Sequence, residues 1–451
     1  MKWTLQQIAE WSQGQIISTH QTEFSEFSTD TRKPCDKKVF IALKGDQFDA
    51  HDFLDQAAAQ GAGLLLVHRM DPRFDTLKNK ISIIKVDDTL SALQSWAKHY
   101  CKTLRAQVFA ITGSNGKTTT KEFLAKILST TKKTYFTEGS FNNHWGLPFS
   151  ILSANSDHQC LVLEMGMNHA GEIAYLTGLA RPSVALITNA GAAHLEGLGS
   201  VEAVARAKGE IFEGLDQMGV AVINADDPYA PLWRKFAGSR RVVDFGLGAG
   251  AMVSACYQLN LLNSKMTMTL PDGVEEVALQ VPGEHNVRNA LAAAAATTAM
   301  GIDKEIIALG LSRFSGVKGR MQKKRGLHEA TLIDDSYNAN PESVRAALAV
   351  LAAAPGKKIL VLGDMGELGA NAVVLHERIG EEARLAGVDG LFAVGELSAY
   401  TVAKFGAGAR HFEHIEELVA EVRTQLAADV TVLVKGSRFM QMERVVKDIE
   451  L

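Results

Sequence analysis

Ala110-Ile111-Thr112-Gly113-Ser114-Asn115-Gly116-Lys117-Thr118-Thr119-Thr120 is the stretch on which the fold turns. Before it, Gln107-Val108-Phe109-Ala110-Ile111 is a short apolar run that predicts a strand. After it, Lys121 to Leu128 has the spacing of an amphipathic helix. Strand, glycine-rich turn, Gly-Lys-Thr and helix together make a phosphate-binding loop. The glycines let backbone N–H groups turn toward phosphate oxygens, and the helix N-terminus adds the positive end of a dipole. The expected nucleotide contacts are Gly113, Ser114, Asn115, Gly116, Lys117, Thr118 and Thr119. Lys117 would reach the β- and γ-phosphates, and Thr118 would place its hydroxyl on Mg²⁺. Gly113 and Gly116 stand closer together than in the commoner G-x-x-x-x-G-K-[ST] spacing.

A chain of 451 residues exceeds one ordinary domain, so two to four are expected. Nearly half of it is hydrophobic and about a fifth charged, the balance of a globular protein. A formal net charge of −4 and the lack of a basic run give no nucleic-acid signature. No apolar run approaches the roughly 18 residues that span a bilayer. Met1 to Ile8 has no signal-peptide core. Cys35, Cys101, Cys160 and Cys256 lie far apart without metal-ligand spacing and read as reduced thiols. The expectation is a cytoplasmic monomer with no membrane span.

Three regions are expected: 1–105, 106–315 and 316–451. The first carries a helix over Leu5 to Trp11, strands over Val39 to Leu43 and Leu64 to Val67, and a helix over Thr89 to Tyr100, with Lys102 to Arg105 as a linker. Its polar stretches, Ser28 to Arg32 and Lys44 to Phe53, read as ligand-lining or as plain surface loops, the second being favoured on physics alone. The middle region alternates strands and helices, which predicts a largely parallel sheet. Ser140 to Pro148 is a loop before a short helix. Strands over Cys160 to Met167, Val184 to Asn189 and Val220 to Asn224 follow, and residues 251–281 alternate as an antiparallel addition would. Gly283 to Asn289 opens an alanine-rich helix. In the last region, strands over Thr331 to Asp335, Lys358 to Leu362 and Val430 to Val434 each end in a polar cluster. Ligands bind at that edge of open α/β sheets, so three such clusters predict a binding face. Asn340, Pro341 and Glu342 suit the N-cap, the first helical position and the dipole end of the helix that follows.

Single residues leave their roles open. Glu164 ends an apolar strand, where it reads equally as a magnesium carboxylate or a solvated side chain. A lone histidine such as His194 is more often structural than a ligand. Lys208, in the helix over Val201 to Phe212, reads by default as a solvated surface lysine.

Taken together, the motifs are similar to those of the Mur ligases. The short G-x-x-G-K-T-T loop resembles that of the Mur ligases and folylpolyglutamate synthetases. So do Asn142-Asn143, Glu164-Met165-Gly166, His194-Leu195-Glu196, Ala207-Lys208-Gly209-Glu210, Gly283 to Ala290 and Asp334-Asp335-Ser336-Tyr337-Asn338-Ala339-Asn340-Pro341. Leu362 to Gly369 and Phe40 to Gly45 bring the resemblance nearest to the branch that adds D-alanyl-D-alanine. Gly191-Ala192-Ala193-His194 departs from the pattern, which has a proline two residues after the glycine.

The resemblance implies an α/β protein of three domains: a small N-terminal domain for the UDP of a sugar nucleotide, a central ATP-binding domain with a mainly parallel sheet, and a C-terminal Rossmann-like domain. It implies an ATP-dependent amide ligase that joins D-Ala-D-Ala to UDP-MurNAc-tripeptide through an acyl phosphate. ATP, two Mg²⁺ ions and a carbamylated Lys208 are the implied cofactors. Thr118 and Glu164 would hold one ion, and His194 and the modified Lys208 would help place the other. Asn286 and Asn289 would contact adenine and Asp335 the ribose. Tyr337 and Asn338 would lie beside the nucleotide, and Arg320 would add a cation. Thr31, Arg32, Lys44, Asn142, Asn143, Asn338, Asn340 and Asp364 are the implied substrate contacts. The competing readings are another Mur ligase, a folylpolyglutamate synthetase, or an ATP-hydrolysing switch that makes no amide.

Overall fold

The structure is a computed structural model that describes every residue except 1, 2, 46, 70, 71, 73 and 249 and the side chain of Phe74. Asp46, part of the polar stretch Lys44 to Phe53, and Met1 and Lys2 lie outside the described residues. The chain forms two compact units. One contains Met1–Val108, Lys133–Met165 and Tyr175–Arg181; the other contains Phe109–Lys132, Gly166–Ala174 and Pro182–Leu451.

The first unit holds a five-stranded sheet in the order Gln15–Ser18, Ser82–Lys85, Leu64–Val67, Val39–Ile41, Phe27–Ser28. The first pair is antiparallel and the rest parallel. Phe40, Leu65, Val67 and Ile83 pack with Leu54 and Ala57 in one core cluster. Thr4 caps the helix Leu5–Trp11 in a reciprocal capping box with Gln7. Asp88 starts the helix Thr89–Thr103 by accepting from Ser91 N at 2.7 Å. That helix runs past Tyr100, so Lys102 and Thr103 belong to it and not to a linker. Its Trp96 and Tyr100 meet Trp3 edge-on at 5.0 and 5.4 Å. The predicted strand over Val39 to Leu43 stops at Ile41. The same unit pairs Thr134–Phe136 with Cys160–Glu164 in parallel and carries the short helix Gly146–Ser153.

The second unit contains two sheets. In one, the strands follow the order Gly273–Leu279, Ser264–Leu270, Val253–Leu259, Arg241–Gly246, Val220–Asn224, Val184–Ile187 and, from Phe109 on, Gln107–Thr112. The last four are parallel, and the hairpins over residues 253–279 are the expected antiparallel addition. Ile187 registers with both Thr112 and Ile223, so these three strands end level with one another. The helix Glu284–Thr298 is buried from Ala290 to Thr297. Alanine there lets its backbone lie close to its neighbours.

The other sheet has the order Gln322–Arg325, Thr331–Asp335, Val430–Lys435, Lys357–Gly363, Gly390–Val394, Ala409–Phe412, parallel after its first antiparallel pair. Its central strands are buried on both faces. Ile333, Leu360, Leu362 and Leu433 join one core cluster, while Leu332, Ile359, Val361, Val432 and Val434 join the other. Alternate side chains of one strand point to opposite faces, which is why continuous apolar runs appear in the sequence. Asp335 registers with Lys435, and Lys435 with Leu362, so the three polar clusters stand side by side.

Candidate functional site

The phosphate loop is built as its sequence dictates. Gly116 has φ 81°, caps the helix Lys117–Leu128 and leaves no space for a Cβ, which would collide with Asn289 Oδ1. At Gly113 a Cβ would collide with Thr188 Oγ1. Lys117 folds back so that Nζ donates to Gly113 O at 2.7 Å. The residues after the neighbouring strand brace the loop. Ser114 N donates to Asn189 O (3.0 Å), Asn115 N to Asn189 Oδ1 (2.9 Å) and Thr188 Oγ1 to Asn115 O (2.6 Å). Asn286 and Asn289 lie on the first turns of the alanine-rich helix, within 3.3 Å of each other, and Thr120 Oγ1 reaches Asn289 Oδ1 at 3.4 Å.

The Asn115 side chain is held by two residues of the last region. Nδ2 donates to Glu342 Oε2 at 3.0 Å, and Oδ1 accepts from Asn340 Nδ2 at 2.8 Å. Asn340 also caps the helix Pro341–Ala352 by accepting from Ser343 N at 2.9 Å. Glu342 Oε1 accepts from Ala192 N at 3.0 Å. Beside it, Asp227 accepts from Ala190 N and Tyr229 N, both at 2.9 Å. Burial, with the Glu342 charge nearby, pushes the Asp227 carboxyl up from its ordinary range.

Asp335 is buried, with Oδ1 accepting from Met321 N at 3.1 Å and Oδ2 paired to Lys435 Nζ at 2.5 Å. Lys435 also donates to Asn338 O at 2.9 Å. Burial pushes the Lys435 amine below its ordinary value, against the opposing pull of Asp335. Two guanidinium groups approach the Tyr337 ring, Arg320 at 4.2 Å and Arg438 at 5.8 Å from its centroid. Arg320 Nη2 stands 3.5 Å from Thr118 Oγ1, while its Nε is buried without a hydrogen-bond partner among the described residues.

Lys208 is not a surface lysine. It lies in the last turn of the helix Val201–Gly209 and is 1% exposed. Burial drives its pKa well below the ordinary lysine value, and the Lys117 charge adds to the shift. His194 caps the short helix Leu195–Leu198 with φ 58°, and its Nδ1 lies 2.7 Å from Glu367 Oε2. The two are in close polar contact, although Nδ1 meets no partner in hydrogen-bond geometry among the described residues. Asp364 turns inward, where its oxygens accept from Leu397 N (3.2 Å) and Ser398 N (2.7 Å) at the start of the helix Ser398–Phe405.

In the first unit, Glu164 is 2% exposed. Oε1 accepts from Asn142 Nδ2 at 2.8 Å, and Oε2 is buried with no hydrogen-bond partner among the described residues. Asn143 Oδ1 accepts from Trp145 N and Gly146 N at 3.1 and 2.8 Å, which starts the helix Gly146–Ser153. Thr31 accepts from Gln60 Nε2 through its backbone oxygen at 2.5 Å, and its hydroxyl donates to Gln56 Oε1 at 3.2 Å. Arg32 grips Asp30 through Nε and Nη2 at 2.9 and 3.0 Å, holding that carboxyl at about 2. The Lys44 backbone bridges to Asp49, whose carboxylate accepts from His51 N at 3.0 Å.

Residues 111–297 match the Mur ligase middle domain, and residues 319–438 match the Mur ligase glutamate ligase domain. This chain belongs to the Mur ligase family. The UDP-N-acetylmuramoyl-tripeptide–D-alanyl-D-alanine ligase of Escherichia coli (strain K12) is 40% identical over 99% of this Mur ligase and 98% of its own length. The crystal structure of MurF from Acinetobacter baumannii superposes with a TM-score of 0.93 at 35% identity, covering 99% of this chain and 98% of that one. MurF from Thermotoga maritima, solved in complex with ADP, gives a TM-score of 0.82 at 27% identity, covering 94% of this chain and 96% of that one.

The residues of this Mur ligase suit a hard cation. Glu164 offers a buried carboxylate oxygen with no hydrogen-bond partner among the described residues. Among the described residues no three His, Cys, Asp or Glu side chains form a metal-binding group. Magnesium usually takes one or two carboxylates together with phosphates and waters rather than a full protein cage. Sequence reading missed Glu342 as a contact of the phosphate loop, Glu367 as the partner of His194, and Lys435 as the partner of Asp335. Glu367 and Lys435 stood in the polar clusters after their strands, a signal that could have marked them. Glu342 was read only as a helix-dipole residue.

Proposed function

We propose that this Mur ligase joins D-alanyl-D-alanine to UDP-N-acetylmuramoyl-tripeptide with hydrolysis of ATP to ADP and phosphate. The observation that carries this reading is the braced phosphate loop in a chain that aligns end to end with ligases of that name. A carboxylate is a poor acyl donor because it would have to expel oxide. Transfer of the γ-phosphoryl group to the terminal carboxylate of the tripeptide makes an acyl phosphate and releases ADP. The free amine of D-Ala-D-Ala attacks the acyl carbon, the tetrahedral intermediate expels phosphate, and the amine loses a proton.

Gly113, Ser114, Asn115, Gly116, Lys117, Thr118 and Thr119 take the phosphates in this proposal. The Lys117 ammonium meets the charge that develops on the transferred group. Asn286 and Asn289 take the adenine. Tyr337, Asn338 and Arg320 line the nucleotide, and Asp335, paired with Lys435, binds the ribose. Magnesium, when bound, supplies positive charge to the phosphoryl oxygens. The residues proposed to hold two such ions are Thr118, His194 and a carbamylated Lys208 and, in the first unit, Glu164. Burial favours the neutral form of the Lys208 amine, the form that reacts with CO₂. Thr31, Arg32, Lys44, Asn142 and Asn143 are proposed for the sugar nucleotide, and Asn338, Asn340 and Asp364 for the dipeptide side.

The proposed division of labour follows 1–105, 106–315 and 316–451. The protein would act as a cytoplasmic monomer in peptidoglycan precursor synthesis, and so in cell shape and division. Among the described residues no helix is long and apolar enough to cross a membrane. Release of ADP measured with and without D-Ala-D-Ala and the tripeptide nucleotide tests the reading. Release should require both. Release that ignores both would replace the ligase with an ATP-hydrolysing switch.

A further inference from the structure

We infer that Glu342 is a positioning residue that latches the first helix of the C-terminal sheet onto the phosphate loop through Asn115. Its effect on turnover rests on the ligase reading above, while the latch itself rests on geometry alone. A carboxylate in the first turn of a helix ordinarily serves that helix's own N–H groups. In Pro341–Ala352, Asn340 already does so, accepting from Ser343 N at 2.9 Å. Glu342 turns away instead. Oε1 accepts from Ala192 N and Oε2 from Asn115 Nδ2, each at 3.0 Å. Asn115 Oδ1 then accepts from Asn340 Nδ2 at 2.8 Å.

Both ends of the Asn115 amide are therefore committed to one helix start, and both Glu342 oxygens to the phosphate-loop side. Gly191 leaves the space: a Cβ there would collide with Glu342 Oε2. Hydrogen bonds to a carboxylate are stronger than neutral ones, and two of the three contacts are of that kind. Asp227, a second carboxylate, stands near enough to Glu342 for the charges to repel. A surface glutamate would swing away from that repulsion; Glu342 stays on its two donors.

The loop does not need the latch to keep its own shape. Asn115 N donates to Asn189 Oδ1 at 2.9 Å, and Asn115 O accepts from Thr188 Oγ1 at 2.6 Å and Asn189 Nδ2 at 3.1 Å. What the latch sets is where the helix stands relative to the loop, together with Tyr337 and Asn338 just before it. Glu342 then acts through placement and touches no reacting atom.

Two measurements on the full chain test this. Hydrogen exchange without ligand should show faster exchange at Ala192 and over 340–344 in Glu342→Ala, with the helix Lys117–Leu128 unchanged. Unchanged exchange at Ala192 overturns the latch whatever the kinetics show. In the complete ligation assay, Asn115→Ala and Glu342→Ala should each lower kcat by about tenfold, the size expected for a lost charged hydrogen bond. KM for ATP should move less than about threefold, because Thr188 and Asn189 still brace the loop. The double variant should fall no further than the worse single one. Effects that multiply, or a loss confined to KM for ATP, overturn the inference. Glu342→Gln keeps one acceptor oxygen and should be intermediate. With Asn115→Ala it carries the test if Glu342→Ala fails to fold. If wild-type ADP release ignores the dipeptide, the ligase reading falls while the exchange result still decides the latch.

Discussion

His194 Nδ1 lies 2.7 Å from Glu367 Oε2, and both residues hold left-handed backbone, at φ 58° and 61°. For residues with a Cβ that region costs about 1–3 kcal/mol each, so the surrounding structure must impose it. Glu367 lies in the loop between the strand Lys357–Gly363 and the helix Ala372–Leu385. His194 lies beyond the strand Val184–Ile187. The contact therefore fixes the imidazole from a second sheet. The imidazole in turn holds the Glu367 carboxyl below its ordinary range. A carboxylate on one ring nitrogen orients the other toward a metal. Glu367→Ala should raise the magnesium concentration needed for half-maximal ligation by about 10- to 100-fold. Glu367→Gln, which keeps an acceptor, should raise it less. A magnesium titration with no shift in either variant would show that the pair does not orient His194.

Lys117→Ala removes the one charge that the loop sequence itself supplies. Ligation should fall by at least about a hundredfold, because charge on the transferred phosphoryl group is stabilised where it develops. Near-normal ADP release by a folded Lys117→Ala protein would remove the central assignment. Gly116→Ala tests the loop from the steric side. Its φ of 81° and the Asn289 oxygen both oppose a Cβ. It should cost about 1 kcal/mol or more in stability, read as a lower urea midpoint.

The α/β class and the phosphate loop were legible because they depend on local pattern. Apolar runs of strand length ended in polar clusters, and glycines fell where φ or crowding required them. The fate of individual polar groups was not legible. Asn115 and Glu342 are separated by 227 residues, and no local pattern marks such a pair. Asp335 looked available at a strand end, but the neighbouring strand brings Lys435 onto it. Lys208 looked solvated because one helix sequence does not say how many of its sides are covered. Val204, Ala205, Ala207 and Lys208 are all buried, so more than one face of that helix is packed.

His376 should make stability sensitive to mild acid. It is buried; its Nδ1 bonds Ala372 O at 2.7 Å, while Nε2 accepts from Met365 N at 3.0 Å. One nitrogen must donate and the other accept, so the ring is neutral as folded. Burial lowers its pKa below the ordinary value of 6.5. Above 6.5 the ring is neutral in the folded and the unfolded chain, and the full contribution is present. As pH falls from there toward the folded value, the unfolded chain takes the proton first, and stability is lost. Urea midpoints should drop between about pH 7.5 and about pH 5.5, and drop less in His376→Gln, whose amide keeps a donor and an acceptor but does not titrate. Equal slopes would place the acid sensitivity elsewhere.

Lys208 carries the most demanding expectation, that the active protein holds it as a carbamate. A charged ammonium repels magnesium, but burial and the Lys117 charge both favour the neutral amine. A neutral amine adds to CO₂ and loses a proton. The product is a long carboxylate with two hard oxygens, the donor type magnesium prefers. It also places a negative charge beside Lys117, which relieves the repulsion that lowers the amine's pKa. If a positive charge were the function, Lys208→Arg should keep much of the activity. If the carbamate is, Lys208→Arg and Lys208→Ala should both lose nearly all of it. Short carboxylic acids should then partly restore Lys208→Ala by filling the vacated space with an anion. Removing dissolved CO₂ and bicarbonate should lower wild-type turnover reversibly, and ¹³C NMR after addition of labelled bicarbonate should show one carbamate carbon that is missing from Lys208→Ala. An active Lys208→Arg enzyme, or a wild-type spectrum without that carbon under turnover conditions, would leave Lys208 as an unmodified buried amine.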